Sequence, residues 1–418
     1  MSPITKPPLT AAPRALVRAY AIASRFYATG AVLLATGVAT SVGAAEHVAG
    51  IGQVLGASVL PQVLDLGLAR RISMESAVID DVHSRERAIQ SLTGQYIWFS
   101  LGLGVLVACY VALVPALLQR YGGEILLAVV LACLSAPISV VATTALYGWR
   151  QPSIQQMLIS AAVDLLLLGL QLLVALQWPA HIPLALAAAL LLRQLLLCLV
   201  LRTLDALAAA LHQARQSVLA LAQTAAQHGA AELRLGVFCV AAWGVDPFLY
   251  VHFVHDALVP THLTVTRLAQ AAISVMNVFL ISTLWAGHRS TNPAALPVRA
   301  RRAMWGFAGA AALVLAAAWP LAAATQPGGW PMVAVALAVL TATAVAMWRQ
   351  QLAVEYLRHK TDLRDGASYA AMLVVIAVKG AAVLGSNVVL LECASIIASL
   401  AYLIRLNQHH QERPLDPA

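Results

Sequence analysis

Long apolar runs constrain the fold of this chain more than any other feature. The segment "ILLAVVLACLSAPISVVATTALYG" at 125–148 is apolar on every side and long enough to cross a bilayer as a helix. Charged residues make up only 11% of the chain, against roughly 25% in soluble domains. Because each segment in lipid must satisfy its own backbone hydrogen bonds, helices are the natural solution. The sequence therefore predicts an all-α polytopic membrane protein.

Twelve candidate spans of about 20 residues follow one another along the chain. They are 15–42, 46–68, 92–115, 124–147, 154–177, 183–203, 231–254, 258–285, 303–325, 331–352, 367–385 and 388–406. The residues before the first span lack a signal-peptide cleavage pattern, so we interpret them as a cytoplasmic tail. All five cysteines lie inside apolar runs and are interpreted as small core hydrophobes: Cys109, Cys133, Cys198, Cys239 and Cys393.

Lysines and arginines cluster in loops that twelve spans place on one side. One cluster is Arg70, Arg71, Arg85 and Arg87, a second is Arg289, Arg299, Arg301 and Arg302, and a third is Arg349, Arg358, Lys360 and Arg364. Of the 26 basic residues, only Arg120 falls in a predicted outer loop. The positive-inside rule then places both termini in the cytoplasm. The net charge of +8 reflects this topology and requires no nucleic-acid partner.

The spans divide into two predicted six-helix lobes, 1–203 and 231–418, with a linker at 204–230. The linker repeats apolar residues at helical spacing, namely Leu204, Leu207, Leu211, Val218 and Leu221. This pattern predicts an amphipathic helix lying on the membrane, and a soluble interaction helix is the alternative.

Eight charged residues lie inside predicted spans, where each costs roughly 2.5–3.5 kcal/mol to insert. They are Arg25, Asp65, Asp164, Arg193, Asp246, Arg267, Lys379 and Glu392. Taken in chain order as four acid–base pairs, the members of each pair are equidistant from a predicted outer turn. Since helices joined by a short turn pack antiparallel, each hairpin should hold one acid and one base at similar depth.

Two interpretations of these charges remain open. They can form four ion pairs that make the helices insertable, or the bases can line a water-filled cavity and bind an anionic substrate. Arginine suits phosphate because its planar fork binds two oxygens and keeps its charge. A carboxylate that releases its arginine on protonation would couple proton movement to transport.

Two further motifs are weaker. "GQVLG" has GxxxG spacing, which indicates a close helix contact at Gly52 and Gly56. His252, His255 and Asp256 could chelate a metal, but with no further ligand nearby we interpret them as interfacial residues, and no metal or other cofactor is expected.

Several stretches resemble the polysaccharide flippases (Wzx type) of the MOP exporter superfamily. The second helix of that family ends in an Asp-Leu-Gly-Leu-like segment followed by basic residues, as does "VLPQVLDLGLARRIS" at 59–73. The family's aspartate in the seventh helix is matched by Asp246 in "WGVDPFLY". Its eighth helix ends in Leu-Trp-Pro, whereas "TLWAG" has Ala286 at the proline position.

The resemblance implies two six-helix lobes around a central cavity. It places Arg25 and Arg267 where related flippases carry arginines, and these would contact a diphosphate, with Arg193 and Lys379 as further substrate-binding candidates. Asp65, Asp246, Asp164 and Glu392 are the candidates for coupling or gating. The implied activity is translocation of a polyprenyl-diphosphate-linked oligosaccharide across the bacterial inner membrane by alternating access, with H⁺ or Na⁺ as the coupling ion and membrane lipid as the surroundings.

Three alternative functions remain open, the first within the same superfamily and the other two outside it. A multidrug or organic-cation exporter of the same superfamily should have an acid-dominated cavity, whereas the buried bases here equal the acids. A polysaccharide polymerase or glycosyltransferase usually needs a large outer loop, and neither such a loop nor an enzyme motif is found, so no catalytic residue is predicted. A structural membrane scaffold would explain paired charges but would leave the charged residues of the first, seventh and eighth spans without a role.

Overall fold

The structure is a computed structural model, and in the part of the chain that it describes every regular element is a helix. The described residues are 20, 27, 30–32, 34–39, 47–69, 71–72, 75, 81–144, 153–201, 203–213, 215–226, 245–249, 252, 366–387, 390–391, 393–394 and 397. The chain divides into unit 1, Met1–Ala31 with Ala57–Gln227, and unit 2, Val32–Gly56 with His228–Ala418. The lobe and linker boundaries given above remain predictions.

The helices are α1 (Val48–Val63), α2 (Val82–Ala112), α3 (Pro115–Tyr121), α4 (Glu124–Thr144), α5 (Ile154–Gln177), α6 (Ile182–Val200), α7 (Leu204–His212), α8 (Asp246–Leu249) and α9 (Gly366–Leu384). Within the described residues, four segments are long and apolar enough to cross a membrane: His83–Ala112, Glu124–Ala142, Ile154–Gln177 and Pro179–Val200. They coincide with the predicted third to sixth spans. The chain is an all-α, multi-pass membrane protein. Most of the other predicted spans fall wholly or largely outside the described residues, so the count of twelve stays a prediction.

Helix α2 begins at Val82 rather than at residue 92, and this corrects one prediction. Arg85 and Arg87, expected in a loop, lie in the first turns of the helix. Asp81 caps these turns by accepting a hydrogen bond from the Ser84 N–H at 2.8 Å. At 1.5 Å per residue the 31-residue helix is about 46 Å long, against about 30 Å of hydrocarbon. Its charged start therefore extends beyond the lipid-spanning part.

The Asp81 cap also sets the ionisation of this carboxylate. The pKa of Asp81 is lowered from its ordinary value because the Ser84 side chain and the Ser84 backbone N–H both donate hydrogen bonds to it. Asp81 therefore stays charged at neutral pH, where it favours the N-terminus of α2.

Helix α5 has an interior face and a lipid face. It begins in a capping box in which the Ser153 side chain accepts from the Gln156 N–H while the Gln156 side chain accepts from the Ser153 N–H. Its buried stripe includes polar side chains and follows helical spacing: Met157, Ser160, Leu167, Gln171 and Ala175. Its exposed side chains include many large apolar ones, among them Leu158, Ile159, Leu165, Leu166, Leu170, Leu173 and Leu176. Such a distribution suits a helix with lipid on the outside and polar groups within.

The core of unit 1 forms where α4 packs against both α2 and α6. One cluster joins Ile97, Ile138, Val141 and Leu197 with Leu207 of α7. The predicted amphipathic stripe at 204–230 is divided in the structure. Its members Leu204, Leu207 and Leu221 pack against these cores, whereas Leu211 and Val218 are exposed. Thr224 also donates a hydrogen bond to the buried Gln95 side chain at 2.9 Å. The described part of this segment is thus docked on unit 1.

A proline in α1 is compensated by a cysteine of α4. Pro61 has no N–H, so it cannot bond to the Ala57 carbonyl one turn earlier. The buried Cys133 thiol donates to that carbonyl instead, with 3.1 Å between Sγ and O. The Tyr96 hydroxyl donates to the Pro61 carbonyl at 3.0 Å. These two bonds fix the C-terminal part of α1 within unit 1.

Candidate functional site: two intramembrane charge pairs

Unit 1 contains a bidentate ion pair between Arg193 of α6 and Asp164 of α5. Nε donates to Oδ1 at 3.0 Å, and one terminal nitrogen donates to Oδ2 at 3.3 Å. The two side chains are 6% and 18% exposed. A single 3₁₀ turn, Pro179–His181, connects α5 to α6, so side chains equidistant from it lie at the same level. The pairing predicted for this hairpin is confirmed.

Aromatic and amide groups surround this pair. The Tyr27 ring lies under the Arg193 guanidinium, with 5.1 Å from Cζ to the ring centroid, which is cation–π geometry. Gln171 donates from Nε2 to the Ala31 carbonyl at 2.6 Å. Within the described part of the chain, the buried Gln171 Oε1 and Tyr27 hydroxyl have no hydrogen-bond partner. The Arg193 charge is thus balanced by a carboxylate at its edge and a ring against its face.

Unit 2 contains a lysine–aspartate pair between Lys379 of α9 and Asp246 of α8. The Lys379 ammonium donates to Oδ1 of Asp246, and the two side chains are only 3% and 8% exposed. Sequence reasoning placed Asp246 in one hairpin with Arg267 and Lys379 in another with Glu392. The observed pair joins one residue from each of these predicted hairpins, 133 residues apart in sequence. Arg267 and Glu392 lie outside the described residues, so the two pairings within the hairpins remain predictions. Equal depth within a hairpin did not anticipate this contact.

The segment that carries Asp246 is also fastened to α1. Gln53, which is fully buried, donates from Nε2 to the Phe248 carbonyl at 3.1 Å, and its Oε1 has no partner among the described residues. Gly56 lies against the Phe248 ring, where an added Cβ would come 2.5 Å from a ring carbon. The close contact that GxxxG spacing predicted is therefore confirmed at Gly56, with a phenylalanine ring as the partner.

Asp65, predicted as a coupling or gating residue, closes a break at the end of α1. The backbone adopts positive φ at Leu66 (53°) and Gly67 (76°), a conformation that suits glycine. Oδ1 of Asp65 accepts from the Gly67 N–H at 3.0 Å, and Oδ2 accepts from the Ala69 N–H at 2.8 Å. The chain then re-enters a helix whose Leu68 packs in a core with Ile89 and Tyr96. In the described structure, the DLGL motif is a capped helix break.

Three of the eight predicted site residues lie outside the described residues: Arg25, Arg267 and Glu392. Their roles, and a contact between Arg25 and Asp65, remain predictions. Over the described ranges, no group of three His, Cys, Asp or Glu side chains is arranged to hold a metal ion. His252 is described and exposed, whereas His255 and Asp256 are outside the described ranges.

Sequence reasoning missed the neutral members of both sites. Gln53 and Gln171 are amides within long apolar segments, and this contrast was the available signal for a buried polar contact. Tyr27 gave no such signal, because tyrosine is common in membrane helices near their ends. The Lys379–Asp246 contact could not be read from spacing, since the partners belong to helices far apart in the chain.

No family model matches the chain, and no curated protein is significantly similar to it. Two solved structures are similar to it over nearly their whole lengths. One is the crystal structure of a MATE in complex with Br-NRF, which is 12% identical, with a TM-score of 0.42 and coverage of 94% of this chain and 97% of that chain. The other is the inward-facing conformation of a multidrug resistance MATE family transporter of the MOP superfamily, also 12% identical, with a TM-score of 0.37 and coverage of 95% and 98%. Sequence identities of 12% and TM-scores below 0.5 carry no argument about the activity of this chain.

Proposed function

We propose that this chain is a flippase that moves a polyprenyl-diphosphate-linked oligosaccharide across the bacterial inner membrane. The observation that carries the proposal is the charge placed within the membrane-spanning part of the protein. Ionisable groups at this depth are expensive and usually mark a pathway for a substrate or an ion. The resemblance of 59–73 to the flippases supplies the substrate class, and the capped break at Asp65 explains why that motif needs its aspartate and glycine.

The two described pairs indicate how the basic residues divide the work. Arg193 and Lys379 each contact a buried carboxylate, so their charges are already balanced. As substrate ligands, these two residues would have to leave their partners. The proposal therefore assigns the diphosphate to Arg25 and Arg267, the positions at which the resemblance places cavity arginines.

The balance of charge favours this substrate over an organic cation. A cation exporter needs carboxylates free to face its substrate, whereas Asp164 and Asp246 are both neutralised by bases in the described structure. A multidrug exporter is the alternative function. For such an exporter, removal of Arg25 or Arg267 should not slow the export of an organic cation. No reaction chemistry is proposed for the chain.

The test is translocation of a purified lipid-linked oligosaccharide by the full-length chain in liposomes. Arg25→Ala and Arg267→Ala should each slow translocation by about 10- to 150-fold, because a hydrogen bond to a charged group contributes about 1.5–3 kcal/mol. Lysine at the same positions keeps the charge but loses the bidentate geometry of the guanidinium, so it should recover part of the translocation rate. Arg120→Ala is the matched control, since Arg120 is an exposed arginine of α3.

Two results would overturn the proposal. Full translocation rates in both alanine variants, with normal insertion and the Arg120→Ala rate unchanged, would remove Arg25 and Arg267 from the pathway. Export of an organic cation such as ethidium by the wild-type protein, without oligosaccharide translocation, would establish the multidrug alternative.

A further inference from the structure

The two buried charge pairs differ in the base that each contains, and this difference has a chemical consequence. Arginine keeps its proton in proteins, whereas a buried lysine can lose its proton. The unit 1 pair can therefore be neutralised only by protonating Asp164, which leaves a buried guanidinium without its partner. In unit 2, a proton can pass from Nζ of Lys379 to Oδ1 of Asp246 and leave an amine beside a carboxylic acid.

The surroundings of the unit 2 pair favour that neutral form. Both side chains are more than nine-tenths buried, and a charge moved from water to such a site carries a penalty of several kcal/mol. Gln53 of α1 donates to the Phe248 carbonyl, two residues after Asp246, and so holds the segment that carries the aspartate.

We propose that the Asp246–Lys379 pair is a proton-exchange site, whereas the Asp164–Arg193 pair is a permanent connection within unit 1. The proton balance is simple. Nζ gives one proton to the carboxylate, the pair can then separate without exposing a charge to the protein interior, and each group exchanges its own proton with water before the pair forms again. This proposal rests on the proposed function only in assigning the proton as the coupling ion.

The test uses infrared difference spectra of the full-length protein in liposomes without substrate, recorded through a pH titration. The C=O stretch of a protonated carboxyl group is separate from that of a carboxylate, so it reports neutral aspartic acid directly. Near neutral pH, where exposed carboxylates are ionised, the wild-type protein should show a protonated-carboxyl band that is lost in Asp246→Asn and kept in Asp164→Asn. The band should shift in D₂O, as an exchangeable proton requires.

Two conservative variants provide the matched comparison. Lys379→Arg keeps the charge but removes the proton donor, so the band should disappear while the protein stays folded and monodisperse. Arg193→Lys is the reciprocal control in unit 1 and should leave the Asp246 band unchanged. A band that survives Asp246→Asn, or that persists in a folded Lys379→Arg protein, would overturn the proposal. If Lys379→Arg does not fold, the Asp246→Asn and Asp164→Asn spectra decide the assignment alone.

The same variants separate this proposal from the proposed function. A normal Asp246 band in a protein that does not translocate lipid-linked oligosaccharide would overturn the flippase assignment and leave the proton site standing. Conversely, oligosaccharide translocation with no pH-dependent carboxyl band would overturn the proton site and leave the flippase assignment standing.

Discussion

Among the described residues, unit 1 and unit 2 each contain one acid–base pair within a helical core, but the two pairs are constructed differently. In unit 1 the partners come from neighbouring helices of one hairpin, and Arg193 binds through two nitrogens with a tyrosine ring against its face. In unit 2 the partners come from distant parts of the chain, and the Lys379 ammonium donates to Oδ1 of Asp246. A bidentate pair with a permanent cation resists separation, whereas a point contact with a titratable cation can be reversed. Two ion pairs of equal net charge can therefore differ in whether proton transfer between the partners can neutralise them.

The largest change in stability is expected when the carboxylate of either pair is removed. Asp164→Ala leaves a guanidinium that cannot lose its proton, and should lower the free energy of unfolding by about 3–5 kcal/mol. Asp246→Ala leaves Lys379, which can become neutral, so it should cost less, and its cost should shrink as pH rises. Thermal unfolding of both variants in the same detergent between neutral and alkaline pH is the measurement. Equal costs with equal pH dependence would abolish the distinction between the pairs.

A second prediction concerns the close packing that holds Asp246. Gly56→Ala places a methyl group against the buried Phe248 ring and should destabilise the protein by about 1–3 kcal/mol through overpacking. Gly102→Ala in α2 is the control, since nothing lies within 4 Å of its added Cβ, and alanine should gain about 0.5–1 kcal/mol there. Melting temperatures that fall in the first variant and hold or rise in the second would support the described contact. A neutral Gly56→Ala would contradict it.

A third prediction sharpens the picture of unit 1 as a connected structure. Cys133→Ala removes the donor to the Ala57 carbonyl and should cost about 0.5–1.5 kcal/mol, whereas Cys133→Ser retains a donor. Pro61→Ala restores the backbone N–H that the proline lacks, so the cysteine change should cost less in that background. A double-mutant cycle of unfolding free energies measures this coupling. Additive effects would show that the thiol does not compensate for the proline.

The smallest effect is expected at the Asp81 cap of α2, because this carboxylate is fully exposed. Its pKa is lower in the folded state than in the unfolded chain, so the cap stabilises α2 above the unfolded pKa. That contribution is lost as pH falls through the lowered pKa. The protection factor for hydrogen exchange at the first turn of α2 should therefore fall on acidification in the wild-type protein. In Asp81→Ala it should already be low at neutral pH, and the cap assignment fails if the two proteins have equal protection factors.

Much of the fold was predictable because lipid imposes a simple rule on sequence. The 154–177 span was predicted to the residue, since its apolar run begins after a capping serine and ends before Trp178. The start of α2 was missed by ten residues, because a hydropathy criterion stops at the first charges while the hydrogen-bonded helix continues into water. The predicted loop around Arg85 and Arg87 was wrong for the same reason.

The candidate site was predictable only within a hairpin. A short turn fixes the relative depth of Asp164 and Arg193, so their similar depth followed from spacing, and the ion pair was one of the two interpretations that spacing left open. The contact between Asp246 and Lys379 depends on which non-adjacent helices pack together, and the rotation of each helix about its axis decides it. Gln53 was not predicted as a site residue because its partner is a backbone carbonyl. Every residue has such a carbonyl, so the sequence does not mark the partner.

The break at Asp65 also defines what a distant relative of this chain should retain. Two backbone amides depend on one carboxylate of fixed reach, so glutamate, longer by one methylene, cannot replace it with the same geometry. Residue 67 sits where side chains are strained, and residue 68 fills a sealed core. Leu66 has a positive φ, which is strained for leucine, so asparagine or glycine at this position would relieve the backbone strain. A search pattern that weights Asp-x-Gly-Leu over the surrounding leucines would therefore select for the capped helix break rather than for hydrophobicity alone.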